Sequence, residues 1–516
     1  MTKTFVWFGA LVATLAVAPA GAQAPAADTI LTNGKVVTLD GASSVVQAIA
    51  IHDDRILAVG SNEDIGKRAD ARTKTIDLGG RTVVPGLMDS HIHALRAGLT
   101  FSTELSWIGV PSLAKGLDLI REAARRQPPG TWIKIGGGWT ELQFPEKRGP
   151  TVEELVAAAP DRPVYVQRLY NTAWITPAGM KLMKLAPDTE IPGGKAEKDA
   201  GGNLTGVFTG VNRTFNFFTA KIPGPSFAEE VDGTRKYFRA LNRLGMTAIN
   251  DFPGGGMRLE HFGVVQSLWQ RGEMSLRVSF HAQANSQHTL DDFKTLTWSI
   301  PMGFGDDMLR FRGIGESLTQ GIYDGSTVGL PYNPTDKDWE EFCAVAKWAA
   351  ERGMNVHQHA ASNRAAAKIL DCFEAVNHEI PIADLRWQIA HIENASDETL
   401  ARMKALNMGW GGAGPPALFG PDRPQGAGPG RITARPADQD RAGHGPARRR
   451  RHRFRPGRAL QSVRVAALGA RRQGDRRHAD ARAGAASDPR GGATHVLAQC
   501  GVVHLRRSQA RFARAR

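Results

Sequence analysis

Val83-Val84-Pro85-Gly86-Leu87-Met88-Asp89-Ser90-His91-Ile92-His93 carries an apolar strand through a Pro-Gly turn into two histidines one residue apart. Side chains alternate faces along a strand, so His91 and His93 project together while Ile92 points the other way. Two imidazoles at that spacing, at the C-terminal end of a strand in an α/β barrel, make half of a metal site. An arbitrary His-x-His pair is more often solvated surface; the apolar run and turn ahead of this one weigh for a metal.

Upstream, residues 28 to about 82 read as short β-branched strands joined by turns, among them Thr29–Gly34, Lys35–Gly41, Ala48–Ile51 and Arg55–Gly60. Asn33-Gly34 between the first two is a hairpin signal, and a small β-sandwich is the expected product. Downstream, helix alternates with strand. A helix is expected from Ser112 to Arg126, strands at Trp132–Ile135 and Val164–Val166, and a capping box at Thr151 with Glu154. A second capping box, Asp338 with Glu341, opens a helix ending at Gly353, and Asn355-Val356-His357-Gln358-His359 follows as a strand. Repeated strand-helix units over some 300 residues predict a parallel sheet with right-handed crossovers, closed as a (β/α)8 barrel of the TIM type. There is no internal repeat, and Gly136-Gly137-Gly138 lacks the spacing of a phosphate loop.

A chain of 516 residues with a formal charge of +14 suggests an anionic partner until the charge is located. Residues 411–516 hold 23 Arg and 6 Asp with neither Lys nor Glu, a net of +17, so everything before position 411 sums to −3. Residues 1–24 have Lys3, an apolar run from Phe5 to Val17, and small residues ending at Ala22 or Ala24. That is the layout of a secretory signal peptide, which predicts an exported, periplasmic or secreted protein without a membrane span after cleavage. Three cysteines, Cys343, Cys372 and Cys500, exclude a disulfide-dense scaffold.

Taken together, the sandwich start, the Val-Pro-Gly-Leu-Met-Asp-Ser-His-Ile-His stretch and the later strand-end histidines resemble the metal-dependent amidohydrolase superfamily. Trp139 after a glycine run, Pro150-Thr151 before a helix, Asp161-Arg162-Pro163-Val164, and Gly245-Met246-Thr247 leading to Asp251 are similar to its amidohydrolase-3 group, which includes formamide deformylase-like proteins. The resemblance covers roughly residues 28 to 410. It implies metal ligands His91 and His93 from the first barrel strand, His359 from the fifth, with His357 two residues earlier as the alternative, and His391 from the sixth. At the fourth strand, where a lysine is common, this chain has Glu316, which could bridge two ions as a carboxylate without modification. The implied cofactor is one or two divalent ions, Zn2+ foremost, lowering the pKa of water from near 15.7 to about 7 and polarising a carbonyl, while an Asp on the eighth strand moves the proton. Asn171 and Thr176 fall near positions where related proteins often carry a substrate-facing His and Asn.

That Asp should follow position 411 in a Gly-Thr-Asp, and no such sequence occurs. Beyond Gly411 Lys, Glu, Tyr and Trp vanish, a single Ile432 remains, and Arg448-Arg449-Arg450-Arg451 appears. Reading a GC-rich gene in the wrong frame produces this bias, so a frameshift near residues 411–420 is expected. The rival is a basic arm binding nucleic acid or another anion, disfavoured by the absence of Lys and of interleaved aromatics.

The expected organisation is a signal peptide at 1–24, the N-terminal part of a β-sandwich at 25–84, barrel strands one to six at 85–410, and an aberrant, disordered tail at 411–516. The expected activity is hydrolysis of a carbon-nitrogen bond other than a peptide bond, in a small amide or formamide. No nucleic-acid partner is expected, and homo-oligomers are compatible. The alternative is a non-catalytic protein that kept the barrel and lost the Asp.

Overall fold

The structure, a computed structural model, describes residues 25–169, 171–254, 257, 261–283, 290–297, 300–324, 332–392, 395–411 and 500–503. The expected signal peptide and nearly all of the tail lie outside these residues. Two compact units are present, dividing between Leu87 and Met88.

In the first unit the β-branched runs form two four-stranded sheets. One holds Thr29–Thr32, Ala48–His52, Arg55–Gly60 and Lys74–Asp77; the other holds Lys35–Val37, Val45–Val46, Thr82–Pro85 and Cys500–Val503. Leu31, Ile49 and Ile51 from one sheet pack with Val36 and Val83 from the other, which makes a sandwich core. Asn33 turns the chain at φ 55°, yet the expected hairpin does not form. The strand before the turn pairs with Ala48–His52 and Lys74–Asp77, and the strand after it with Val45–Val46 and Thr82–Pro85. A Cβ on Gly34 would lie 2.3 Å from Leu78 Cδ1, so glycine serves here to let the chain pass from sheet to sheet.

The second unit is built on a seven-stranded sheet whose strands follow chain order: Leu87–Ile92, Met246–Asp251, Arg277–Ala282, Leu309–Glu316, Asn355–His359, Gln388–Ala390 and Gly409–Gly411. From the second strand onward neighbours are parallel, and the sheet curls into a nearly closed α/β barrel. Its interior and helix layer form one large core around Phe311, Val356, Ile389 and Trp387. The seventh strand is one more than the six expected before residue 411. It leaves the first and seventh strands at the two ends of the sheet.

Two expected barrel strands belong elsewhere. Ile133–Ile135 and Val164–Arg168 pair in parallel, as barrel strands do, but in a separate five-stranded sheet with Thr172–Ile175, Lys195–Lys198 and Leu204–Thr209. The last three run antiparallel to their neighbours, so this is a mixed-sheet insertion between barrel strands one and two with cores of its own.

Caps follow the side chains available. Ser112 caps Leu113–Arg126, and Thr151 with Glu154 forms the expected box ahead of Val152–Ala158. The box before barrel strand five is Thr335 with Asp338, opening Asp336–Glu351, not Asp338 with Glu341. Thr335 already has the extended backbone of a cap, and the Glu341 side chain instead accepts the Leu290 N–H at 2.6 Å. A disulfide joins Cys343 on that helix to Cys372 on Asn363–Glu379. Among the described residues no helix is long and apolar enough to cross a membrane.

The helix Ala94–Thr100, which begins directly after His93, crosses Phe227–Arg243 at a pair of glycines. A Cβ on Gly98 would lie 2.9 Å from Thr234 Cα, and one on Gly233 would lie 2.5 Å from the Gly98 carbonyl oxygen. Backbone cannot yield as a side-chain tip can, so Gly233→Val is expected to cost about 1–3 kcal/mol or more in overpacking. Urea unfolding would show this as a lower midpoint with unchanged slope; an unchanged midpoint would contradict the close crossing.

Candidate metal centre

Five polar side chains converge at the C-terminal ends of four barrel strands. His91 lies in the first strand and His93 just after it; Glu316 and His359 are the last residues of the fourth and fifth; His391 follows the sixth. Alternation along each strand turns these side chains to the barrel mouth. Glu316 stands at the middle. Its Oε1 lies 2.6 Å from His391 Nε2, 3.0 Å from His359 Nδ1 and 4.0 Å from His91 Nε2, and its Oε2 lies 3.4 Å from His93 Nε2. One ligand atom each from His91, Glu316 and His391 fall within 4.8 Å of one another. His391 takes a left-handed backbone at φ 69°, and its N–H donates to the Gly411 carbonyl at 2.7 Å, so the seventh strand helps hold it.

Of the two candidates on the fifth strand, His359 is the one beside Glu316. His357 is fully buried, stacks on Phe252 at 3.6 Å between ring centroids, and has no hydrogen-bond partner on either ring nitrogen among the described residues. It behaves as a flat core residue beneath the site.

Burial governs the charges. It pushes His91 down to about 4 and lowers His93 and His357, so these rings stay neutral, the form in which imidazole binds metal. Burial also drives Glu316 upward, but hydrogen bonds from His359 and His391 outweigh it and hold the carboxyl well below the usual range. At His359 burial lowers the basicity, and the carboxylate beside it more than restores it. A buried carboxylate ringed by four imidazoles, with His91 Nε2 lacking any hydrogen-bond partner among the described residues, is a nitrogen-and-oxygen donor set suited to a divalent transition ion.

Deeper in the barrel a second polar layer was not anticipated. His281 on the third strand and Asn355 on the fifth both stand opposite Gly313 of the fourth, and across that side-chain-free position His281 Nε2–H donates to Asn355 Oδ1 at 2.7 Å. Asn355 Nδ2 in turn donates to the carbonyls of Leu385, at 3.1 Å, and Arg386. The alternation Val278, Phe280 outward and Ser279, His281 inward was the available signal. Burial pushes His281 down to about 4 against 6.5 when exposed. The unfolded chain therefore binds a proton that the folded chain refuses between pH 6.5 and 4, and stability falls as pH falls through that window, by up to ~3 kcal/mol from this residue. His281→Gln, which keeps a donor without a titrating group, is expected to flatten part of that loss in urea titrations from pH 7 to 4.5; an identical slope would refute it.

Asn171 and Thr176 are not in this cluster. Both lie in the insertion: Thr176 Oγ1 accepts the Val164 N–H at 3.0 Å and caps Pro177–Leu182, and Asn171 Oδ1 accepts Arg168 Nε–H at 3.0 Å.

A barrel with imidazoles and a carboxylate at its strand ends is the architecture of the metal-dependent hydrolases. A metal-dependent hydrolase from Pyrococcus horikoshii OT3 shares the fold over 74% of this chain and 74% of its own, with TM-score 0.53 and 20% identity. Residues 74–413 match the Amidohydrolase family, and the chain belongs to it. Among curated relatives, the N-substituted formamide deformylase of Arthrobacter pascens is 26% identical over 406 residues, 74% of this chain and 72% of that protein. The protein LONG AFTER FAR-RED 3 of Arabidopsis thaliana is 24% identical over 399 residues, 74% of this chain and 67% of that protein.

Proposed function

We propose that this chain is built to hydrolyse a carbon-nitrogen bond other than a peptide bond, in a small amide or N-substituted formamide, using one or two divalent ions held by His91, His93, His359, His391 and Glu316. The observation that carries the reading is the gathering of four imidazoles around one buried carboxylate at the barrel mouth. The formamide deformylase relative supports the substrate class. A divalent ion there, Zn2+ first, supplies a Lewis acid that acidifies water and polarises a carbonyl. Glu316 provides the negative charge that offsets the ion, and the buried, neutral rings of His91 and His93 offer lone pairs without first losing a proton. The test is turnover of a panel of N-formyl and N-acetyl amines before and after chelation. Hydrolysis that survives full metal removal would sink the proposal.

One observation favours a second reading for the chain as written. The family match ends at residue 413, shortly after the last Glu, Glu398, and the last Lys, Lys404, and no Gly-Thr-Asp follows. We infer a shift of reading frame near residues 411–420, which leaves the metal site and removes the proton-shuttling Asp. Resequencing the gene across this junction tests it, and an intact frame would end it. Export through the leader at 1–24 is the third element, supported by the disulfide, which belongs to oxidising compartments. A mature N-terminus at Gln23 or Pro25 is the expected result of sequencing the exported protein.

A further inference from the structure

Two dipeptides in the loops around the candidate centre repeat one arrangement. Asp251-Phe252 ends the second barrel strand. The Phe252 carbonyl accepts His93 Nδ1–H at 2.6 Å, and the buried Asp251 carboxylate accepts the Leu95 N–H at 2.9 Å, inside the first turn of the helix that starts after His93. His93 itself makes no side-chain cap, so Asp251 supplies that turn's acceptor from the neighbouring strand. Tyr323-Asp324 follows the fourth strand. The Asp324 carbonyl accepts His359 Nε2–H at 2.9 Å, and its buried carboxylate accepts the N–H groups of Ala361, at 3.1 Å, and Ser362, at 2.7 Å, where the helix after His359 begins. Each dipeptide also lays its aromatic ring on a histidine: Phe252 on His357 at 3.6 Å, Tyr323 on His359 at 4.6 Å.

A carbonyl can only accept, so each contact decides which ring nitrogen keeps its proton and which is left with a lone pair. His93 turns Nε2 toward Glu316, and His359 turns Nδ1, which donates to that carboxylate at 3.0 Å and has to release its proton to bind an ion. We propose that Asp251-Phe252 and Tyr323-Asp324 are paired clamps of positioning residues that set opposite ring-nitrogen presentation in His93 and His359, each by a carbonyl on the ring and a carboxylate on the helix that follows it. The inference rests on the metal-binding reading above. It explains why two aspartates are buried at the barrel mouth: their carboxylates hold the backbone whose carbonyls hold the rings.

The test uses the full chain and Co2+ alone, read by chelator competition and by the visible ligand-field bands of the bound ion. Asp324→Ala and Asp251→Ala are expected to weaken Co2+ binding by about tenfold to a hundredfold and to shift those bands. Asp324→Asn and Asp251→Asn, whose amide oxygen still accepts the helix N–H, recover most of the affinity. Phe252→Leu, which keeps carbonyl and bulk but loses the stacked ring, shifts the bands and carries the test if an alanine variant does not fold. Arg402→Ala, which breaks the ion pairs of Arg402 with Asp371 and Glu374 between two outer helices, lowers the unfolding midpoint and leaves affinity and bands unchanged. Folded aspartate and Phe252 variants that bind Co2+ as the unaltered chain does, with the same bands, overturn the clamps. An unaltered chain that takes up no Co2+ overturns the metal reading, and the clamps with it.

Discussion

Glu316→Gln is expected to lower the affinity for a divalent ion by on the order of a hundredfold or more, the largest effect of any single substitution in this chain. The carboxylate is the only anion within 4.0 Å of all four imidazoles, counting the described residues, and it is almost fully buried. An amide there brings no charge to offset the ion and places an N–H2 against ring nitrogens that need to keep their lone pairs. Metal content after dialysis against buffered Zn2+, and Co2+ titration, measure it; a variant that retains stoichiometric, tight metal would remove Glu316 from the site. A pH signature accompanies the substitution in the metal-free chain. Because the folded carboxyl titrates well below its ordinary 4.5, the wild-type residue contributes stability that is present above pH 4.5 and lost as pH falls below it. The glutamine variant lacks that acid-side loss.

The second large effect concerns the tail. Restoring the reading frame after residue 411 is expected to raise amide hydrolysis by at least ~10²–10⁴-fold, the usual contribution of a positioned general base. The chain as written should be inactive or poorly soluble, while still offering all five metal-facing residues, since the last of them is His391. Solubility follows from the sheet. Among the described residues its order ends at Leu87–Ile92 on one side and Gly409–Gly411 on the other, and on the first of these Leu87 is 55% and Met88 75% exposed. Edge strands with apolar side chains in water favour association between chains. Hydrolysis by the unrestored chain, at a rate near that of the restored one and dependent on metal, would contradict both the frameshift and the need for the missing Asp.

Much of the candidate centre was legible because it is written in short-range pattern. Two histidines at a spacing of two after an apolar strand, a strand ending in His359, another followed by His391, and a glycine-rich strand ending in Glu316 all announce side chains at strand ends, since strand periodicity is a local property of the chain. Capping boxes were similarly local, and the one misplaced, at Thr335, differed by a single helical turn in a stretch where several side chains could cap. What local pattern does not encode is which strand a strand pairs with. Ile133–Ile135 and Val164–Arg168 have the composition and the parallel register of barrel strands yet build the insertion, and Asn33-Gly34 turns the chain without closing a hairpin.

The amino-acid order by itself determined the strand and helix periodicities, the donor types at the strand ends and the break in composition at Gly411, because each follows from residues within a few positions of one another. Only the folded chain decided that His359 and not His357 faces Glu316, that His281 meets Asn355 over Gly313, and that Asp251 and Asp324 bond the N–H groups of Leu95 and Ala361, 156 and 37 residues away, in the segments that follow His93 and His359. Those choices depend on barrel closure, which brings together strands separated by tens to hundreds of residues and sets, through sheet register and stagger, which inward side chain lies level with which.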